Sequence, residues 1–215
     1  MTQRNEYALD EKIKLIEKYR KQAYMSTGST SARKWYLRGI KYAKKGGKYD
    51  QKNYEHFYDF QEHDEGYEKK GFAFFEKAVN CFKKAAELGN DLAIMNYAVY
   101  LYSFKEDHPK ALELFEKASK LGLAVADYQL WLFYKNGYCG TEKDENKADI
   151  YLEQYHKRCE TDERQLILAW DLEEDEERII GRAYMYNWFE GYSFPEVYDT
   201  PSAKPSSWKY KSWTL

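Results

Sequence analysis

The chain has 215 residues, 33 % charged and 43 % hydrophobic, with a formal net charge of −2. This balance supports a folded core and argues against a disordered chain, and no stretch reaches the ~18 consecutive apolar residues a membrane-spanning helix needs. The near-neutral total hides an asymmetry. Glu11 to Lys48 holds twelve Lys or Arg against two acids, and Cys159 to Thr200 holds twelve acids against three Arg, so the two regions can attract each other or two different partners.

The first residues, MTQRNEYALDEK, lack the apolar core of a secretory signal, and a cytoplasmic location is expected. Leu9, Ile13, Ile16 and Ala23 mark one helical stripe, interrupted by Arg20. Thr30 or Ser31 can cap a second helix with Ala32, Tyr36, Ile40 and Ala43 on one face, which Gly46-Gly47 is expected to stop. The segment NYEHFYDFQEH reads as another helix. Trp35 and Tyr36 stand among Arg33, Lys34, Arg38 and Lys41, a mixture that can bind nucleic acid. Helical spacing explains the aromatics, and a pI of about 6.2 argues against nucleic acid. His56, Asp59 and His63 fall at i, i+3, i+7 beside Glu62 and are the candidate metal ligands; the competing reading is a polar helix face with two ordinary histidines.

A repeat follows. Lys77 to Ala93 and Lys110 to Ala126 share eight of seventeen columns at a spacing of 33 residues. Chance would give about one, so the period signals stacked units. The held residues have physical tasks. Ala78, Phe82 and Ala85 line one helix face, as do Ala111, Phe115 and Ala118, the small residues admitting a neighbouring helix. Gly89 and Gly122 end these helices where φ must be positive. Ala93, Tyr97, Ala98 and Leu101 give the stripe of the second helix, and Ala126, Leu130, Phe133 and Tyr134 that of its counterpart. Asp107 precedes Ala111 as Asp144 precedes Ala148, each placed to cap a helix. That step is 37 residues, the extra length lying in the loop NGYCGTEKD.

The pattern A-x3-F-x2-A-A-x2-G-x3-A, then a helix, then Gly137, Asp144 and Lys147-Ala148, resembles the Sel1-like repeat family over about Phe75 to Arg158. The resemblance implies an all-α, right-handed α-α solenoid of helical hairpins related to tetratricopeptide repeats. The first unit departs from the pattern, because YSFKEDHPKA is short and lacks the glycine loop. Residues 1–74 are expected to form a helical cap or degenerate repeats, residues 75–158 the repeats, and residues 159–215 further helices and a tail, all in one continuous domain. In that tail Pro195, Pro201 and Pro205 prevent a long helix, and Trp208, Tyr210 and Trp213 suit an extended strap packed on the helices.

No catalytic constellation emerges. There is no phosphate-binding glycine loop, no nucleophile elbow and no CxxC pair among Cys81, Cys139 and Cys159. The expectation is a non-catalytic protein-binding module without cofactor. Proteins of the resembled family act as adaptors in signalling and envelope complexes, and some small bacterial ones look like immunity proteins that silence a secreted toxin. If the second helices line the concave side, as in tetratricopeptide proteins, Met95, Tyr102, Tyr128 and Lys135 face the partner. The acidic run Glu173, Glu174, Asp175, Glu176 and Glu177 is a second candidate contact, suited to a basic active site.

Overall fold

Helix-start residues punctuate the chain, and each does its work locally. The computed structural model describes residues 27–168. Among these, α1 spans Thr30–Phe60, α2 Glu65–Glu87, α3 Asp91–Tyr100, α4 His108–Lys120, α5 Ala124–Asn136, α6 Glu145–Thr161 and α7 Glu163–Leu168, with no strand. Ser29, Asp64, Asn90, Asp107 and Asp144 each accept a hydrogen bond from a backbone N–H three residues on, capping α1, α2, α3, α4 and α6. Each helix packs on the next in the chain, and α7 also touches α5. Short turns between packed neighbours make this a series of helical hairpins.

The repeat is visible in the turns. After α2, the Asn90 N–H donates to the Ala85 carbonyl and the Gly89 N–H to that of Ala86. After α4, Leu123 donates to Ala118 and Gly122 to Ser119 in the same way. Both glycines take φ near +90°, at 82° and 92°. A Cβ at either would meet no atom within 4 Å, so only backbone strain opposes it. Gly122→Ala is therefore expected to lower stability by about 1 kcal/mol, read by urea unfolding, and Gly89→Ala by a similar amount.

The framework residues Ala78, Phe82, Ala85, Ala93, Ala111, Phe115, Ala118, Ala126 and Ala148 are all buried. The short link after α3 is a π-helical turn, Leu101–Lys105, closed by Glu106 in the left-handed region. This turn takes the place of a glycine loop.

Two expectations need correction. Gly46-Gly47 does not stop a helix: α1 runs 31 residues straight through it. Both glycines are buried, and a Cβ on Gly46 would lie 3.3 Å from the Gly71 carbonyl of α2. Close packing of two helices outweighs a propensity cost of about 1 kcal/mol per glycine. The ranges 1–74, 75–158 and 159–215, read as parts of one continuous domain, meet inside α2 and inside α6. The stripes of α3 and α5 are not stripes: from Asp91 to Val99 only Tyr97 escapes full burial, and Ala124 to Tyr134 are all buried. A helix buried all round is a core helix. The expected helix over residues 9–23 and the strap over 193–215 lie outside the described residues.

Candidate functional site

The starts of α3 and α5 lie against α6 and α7 in a polar cluster that the repeat pattern itself does not supply. Asn90 caps α3, but the equivalent position 33 residues on is Leu123, which has no side-chain acceptor. Gln165 of α7 replaces it, its Oε1 accepting from the Ala124 N–H at 3.0 Å. Arg164 donates to Asp91 at 2.8 Å, and the Thr27 N–H donates to the same carboxylate at 3.0 Å. Arg158 of α6 lies 2.7 Å from the Asp127 carboxylate and donates to the Ser119 carbonyl. The Ser119 hydroxyl donates to Asp127 at 2.5 Å. Burial pushes the Asp127 carboxyl up to about 6, and the Ser119 hydrogen bond and the Arg158 charge pull the other way. These contacts hold the array together; each polar side chain is spent on a structural partner.

An aromatic surface lies elsewhere, where α2 meets α3 and the π-helical turn. Phe75 is the hub, with ring centroids 6.2 Å from Phe72, 5.9 Å from Tyr100 and 5.0 Å from Phe104. Tyr100 continues the row to Tyr97 and to Phe104. Phe72 is 46 % exposed and Phe104 37 %, and the other three rings are half-buried. Open aromatic clusters of this kind are typical anchors of protein contacts. Sequence reasoning placed Tyr97 on a buried stripe and missed the others. The available signal was Tyr97-x2-Tyr100-x3-Phe104, one helical face.

A third surface is basic. Lys41, Lys44, Lys45 and Lys48 line an open groove of about 400 Å³ on α1, with Leu37 and Ile40. The neighbouring rings are covered by cations. Lys84 and Arg38 sit over Trp35, Lys45 and Lys77 over Phe74, and Lys52 and Lys70 over Tyr49.

The residues expected to face a partner divide. Met95 and Tyr128 are buried, which corrects their assignment to an open inner face. Tyr128 packs between Trp131 and Tyr155, at 4.8 and 5.1 Å. Tyr102 is half-buried against His108 and Phe133. Lys135 is exposed, with its ammonium 4.5 Å from the Trp131 ring centroid. Glu173, Glu174, Asp175, Glu176 and Glu177 lie outside the described residues.

The metal candidates also need correction. α1 ends at Phe60, so His63 leaves the helix and the expected shared face breaks. His56 pairs its Nδ1 with the Glu62 carbonyl at 3.0 Å, and the His63 ring stacks on Phe57. Asp59 is exposed beside them. Among the described residues no three His, Cys, Asp or Glu gather into a metal-binding group. Cys81, Cys139 and Cys159 are buried and in no disulfide. Burial raises the Cys81 thiol and pushes that of Cys139 up to about 12, the opposite of an activated nucleophile. No described helix is long and apolar enough to cross a membrane.

Comparison with known proteins bears on the helical array alone. No curated protein and no solved structure matches the chain. The Sel1 repeat family matches residues 75–90, 91–123 and 125–154. Those units pair α3 with α4 and α5 with α6, one helix out of phase with the pairing read from the sequence, and they begin in the second half of α2. Across residues 75–154 the hairpins are Sel1 repeats.

Proposed function

We propose that this protein is a non-catalytic binding scaffold that docks a protein partner on the aromatic surface of Phe72, Phe75, Tyr97, Tyr100 and Phe104. Sel1 repeats generally mediate protein–protein interaction. The observation that carries the assignment to this surface is the five-ring cluster itself, left partly open at the junction of three elements. Its exposed members can be altered without emptying the core. Phe72→Ser with Phe104→Ser is expected to lower recovery of the native partner about tenfold or more, with the melting temperature held within about 2 °C. Affinity capture from the native host beside a thermal melt checks both halves; unchanged recovery removes the surface from consideration.

The finer reading is an immunity protein that binds and neutralises a secreted toxin. It is supported by the Tyr-rich composition and by the acidic run from Glu173 to Glu177, suited to a basic active site such as a nuclease's. Co-expression with a toxin encoded beside it tests this. Rescue of growth, lost when the five acids are neutralised, is the expected result. A set of housekeeping partners instead points to a general adaptor.

A further inference from the structure

We infer that the seam between α1 and α2 is a docking surface for an acidic amphipathic helix of a partner protein, gripped by three cation pairs: Arg38 with Lys84, Lys45 with Lys77 and Lys52 with Lys70. This surface is separate from the aromatic cluster proposed above, and the inference does not rest on that assignment.

The fold builds the pairs. α1 and α2 run antiparallel, with Tyr36 against Phe82 near one end and Tyr49 against Tyr67 near the other. One cation from each helix sits over the same ring. Arg38 and Lys84 share Trp35 at 5.1 and 4.5 Å, Lys45 and Lys77 share Phe74 at 5.6 and 5.2 Å, and Lys52 and Lys70 share Tyr49, each at 5.9 Å. The rungs advance seven residues at a time up α1 and seven back down α2. Two cations on one ring are at most about 12 Å apart, close to the Debye length of ~10 Å at 0.1 M salt, so they repel. Burial raises the Cys81 thiol, and Arg38 and Lys84 both oppose it, so one buried sulfur feels both charges of a single rung.

Among the described residues no carboxylate offsets this charge. The six side chains are exposed, and none is in an ion pair with a described residue. Between the rungs stand Lys41 and Lys48 on α1 and Ala73 and Asn80 on α2, none of them acidic. The nearby exposed acids of α2, Glu76 and Glu87, pair with no rung. A partner's carboxylates would relieve the repulsion and fix the register of docking.

The interval selects the shape of that partner. Seven helical residues rise about 10.5 Å, and three rungs span about 21 Å. A helix laid along the seam at a shallow angle carries side chains at i, i+7 and i+14 in step with them. Acids flanking an apolar stripe meet the cations, and the stripe meets the half-buried rings of Trp35, Tyr49 and Phe74. An extended strand repeats on one face every ~6.7 Å and falls out of step. A duplex strand offers a phosphate every ~3.4 Å but turns a full circle in about 10.5 steps, so it leaves the line of the rungs. The cations also cap the rings, which closes them to stacked bases.

The test measures the fluorescence anisotropy of labelled peptides against the full chain. The first peptide is three heptads long, with Leu at a and d and Glu at e and g; the second has the same composition in scrambled order. The heptad peptide is expected to bind about tenfold or more tighter than the scrambled one, and to weaken at about 0.5 M salt. Lys45→Glu with Lys77→Glu should lower its affinity about tenfold or more, with the helical spectrum unchanged because both side chains are exposed. A peptide with Lys at e and g of its middle heptad should bind that variant better than it binds the unaltered chain. Phe72→Ser with Phe104→Ser should leave binding intact, so failure here and failure of the aromatic surface are told apart. Five results overturn the inference: no binding of the heptad peptide, equal binding of the scrambled one, binding indifferent to the charge reversal or not restored by the reversed peptide, binding lost with Phe72 and Phe104, or a lysine-dependent affinity for phosphatidylserine vesicles or a DNA duplex that exceeds that for the peptide.

Discussion

Arg158→Met is expected to cost about 3 kcal/mol at pH 8 and about 1 kcal/mol at pH 5, read by urea unfolding at the two pH values. Asp127 has no exposure at all, whereas the Arg158 side chain is partly exposed at 26 %. Removing the arginine strands a carboxylate in the core with the Ser119 hydroxyl as its remaining close side-chain donor, and breaking a buried pair from one side costs about 3–5 kcal/mol. The pH dependence follows from the raised carboxyl. A folded-state value of about 6 against 3.8 means that Asp127 contributes stability that is fully present below pH ~4 and lost as pH rises through ~6. Without Arg158 the carboxyl rises further, so at pH 5 it is neutral in the variant and the penalty shrinks. Asp127→Asn in the same background should flatten the difference between the two pH values. A loss equal at pH 5 and pH 8 would mean that Arg158 stabilises through packing and its bond to the Ser119 carbonyl, not through the ion pair.

Phe82→Ala is expected to cost about 4 kcal/mol, the usual range for emptying a buried aromatic site. Its ring is 1 % exposed and fills the joint between α1 and α2, tilted against Tyr36 with centroids 5.9 Å apart. It also fixes the meaning of Gly39. A Cβ on Gly39 would come within 2.5 and 2.7 Å of two ring carbons of Phe82. Overpacking of this kind costs about 1–3 kcal/mol, more than the ~1 kcal/mol by which alanine favours a helix. Gly39→Ala should therefore destabilise the wild-type chain by about 1–2 kcal/mol. In the Phe82→Ala background the ring is gone, only the helix preference remains, and the same change should stabilise by up to about 1 kcal/mol. The reversal of sign is the diagnostic; a double-mutant cycle in urea measures it.

What could be read from the sequence was local. Ala78, Phe82, Ala85 and their counterparts 33 residues on announce themselves by spacing, and Gly89 and Gly122 by the conformation only glycine takes easily. Asp107 and Asp144 act on N–H groups three residues away, so a short window contains the whole interaction. Gly46 was misread because its neighbour, Gly71, is 25 positions off and helix propensity knows nothing of it. Met95 and Tyr128 were misplaced for a related reason: a stripe drawn on one helix cannot show that α3 and α5 are enclosed on every side. The aromatic surface needed Phe75 and Phe104 to be brought together across two elements. The polar cluster was least visible, since Gln165 and Ala124 are 41 residues apart and neither is an unusual residue in its own surroundings.

The two tethers from α7 fix how much of the array can lie between the start of α3 and the start of α5. Arg164 and Gln165 are adjacent in sequence, yet one reaches the start of α3 and the other the start of α5, successive positions in the array. Open repeat arrays lengthen readily by duplicating a unit. Here a unit inserted between Asp91 and Ala124 would drive those two anchor points apart by a full step, and no pair of neighbouring side chains could span the gap. Any lengthening over evolution would have to occur beyond this clasp, so the number of hairpins it encloses is set by the reach of two consecutive residues.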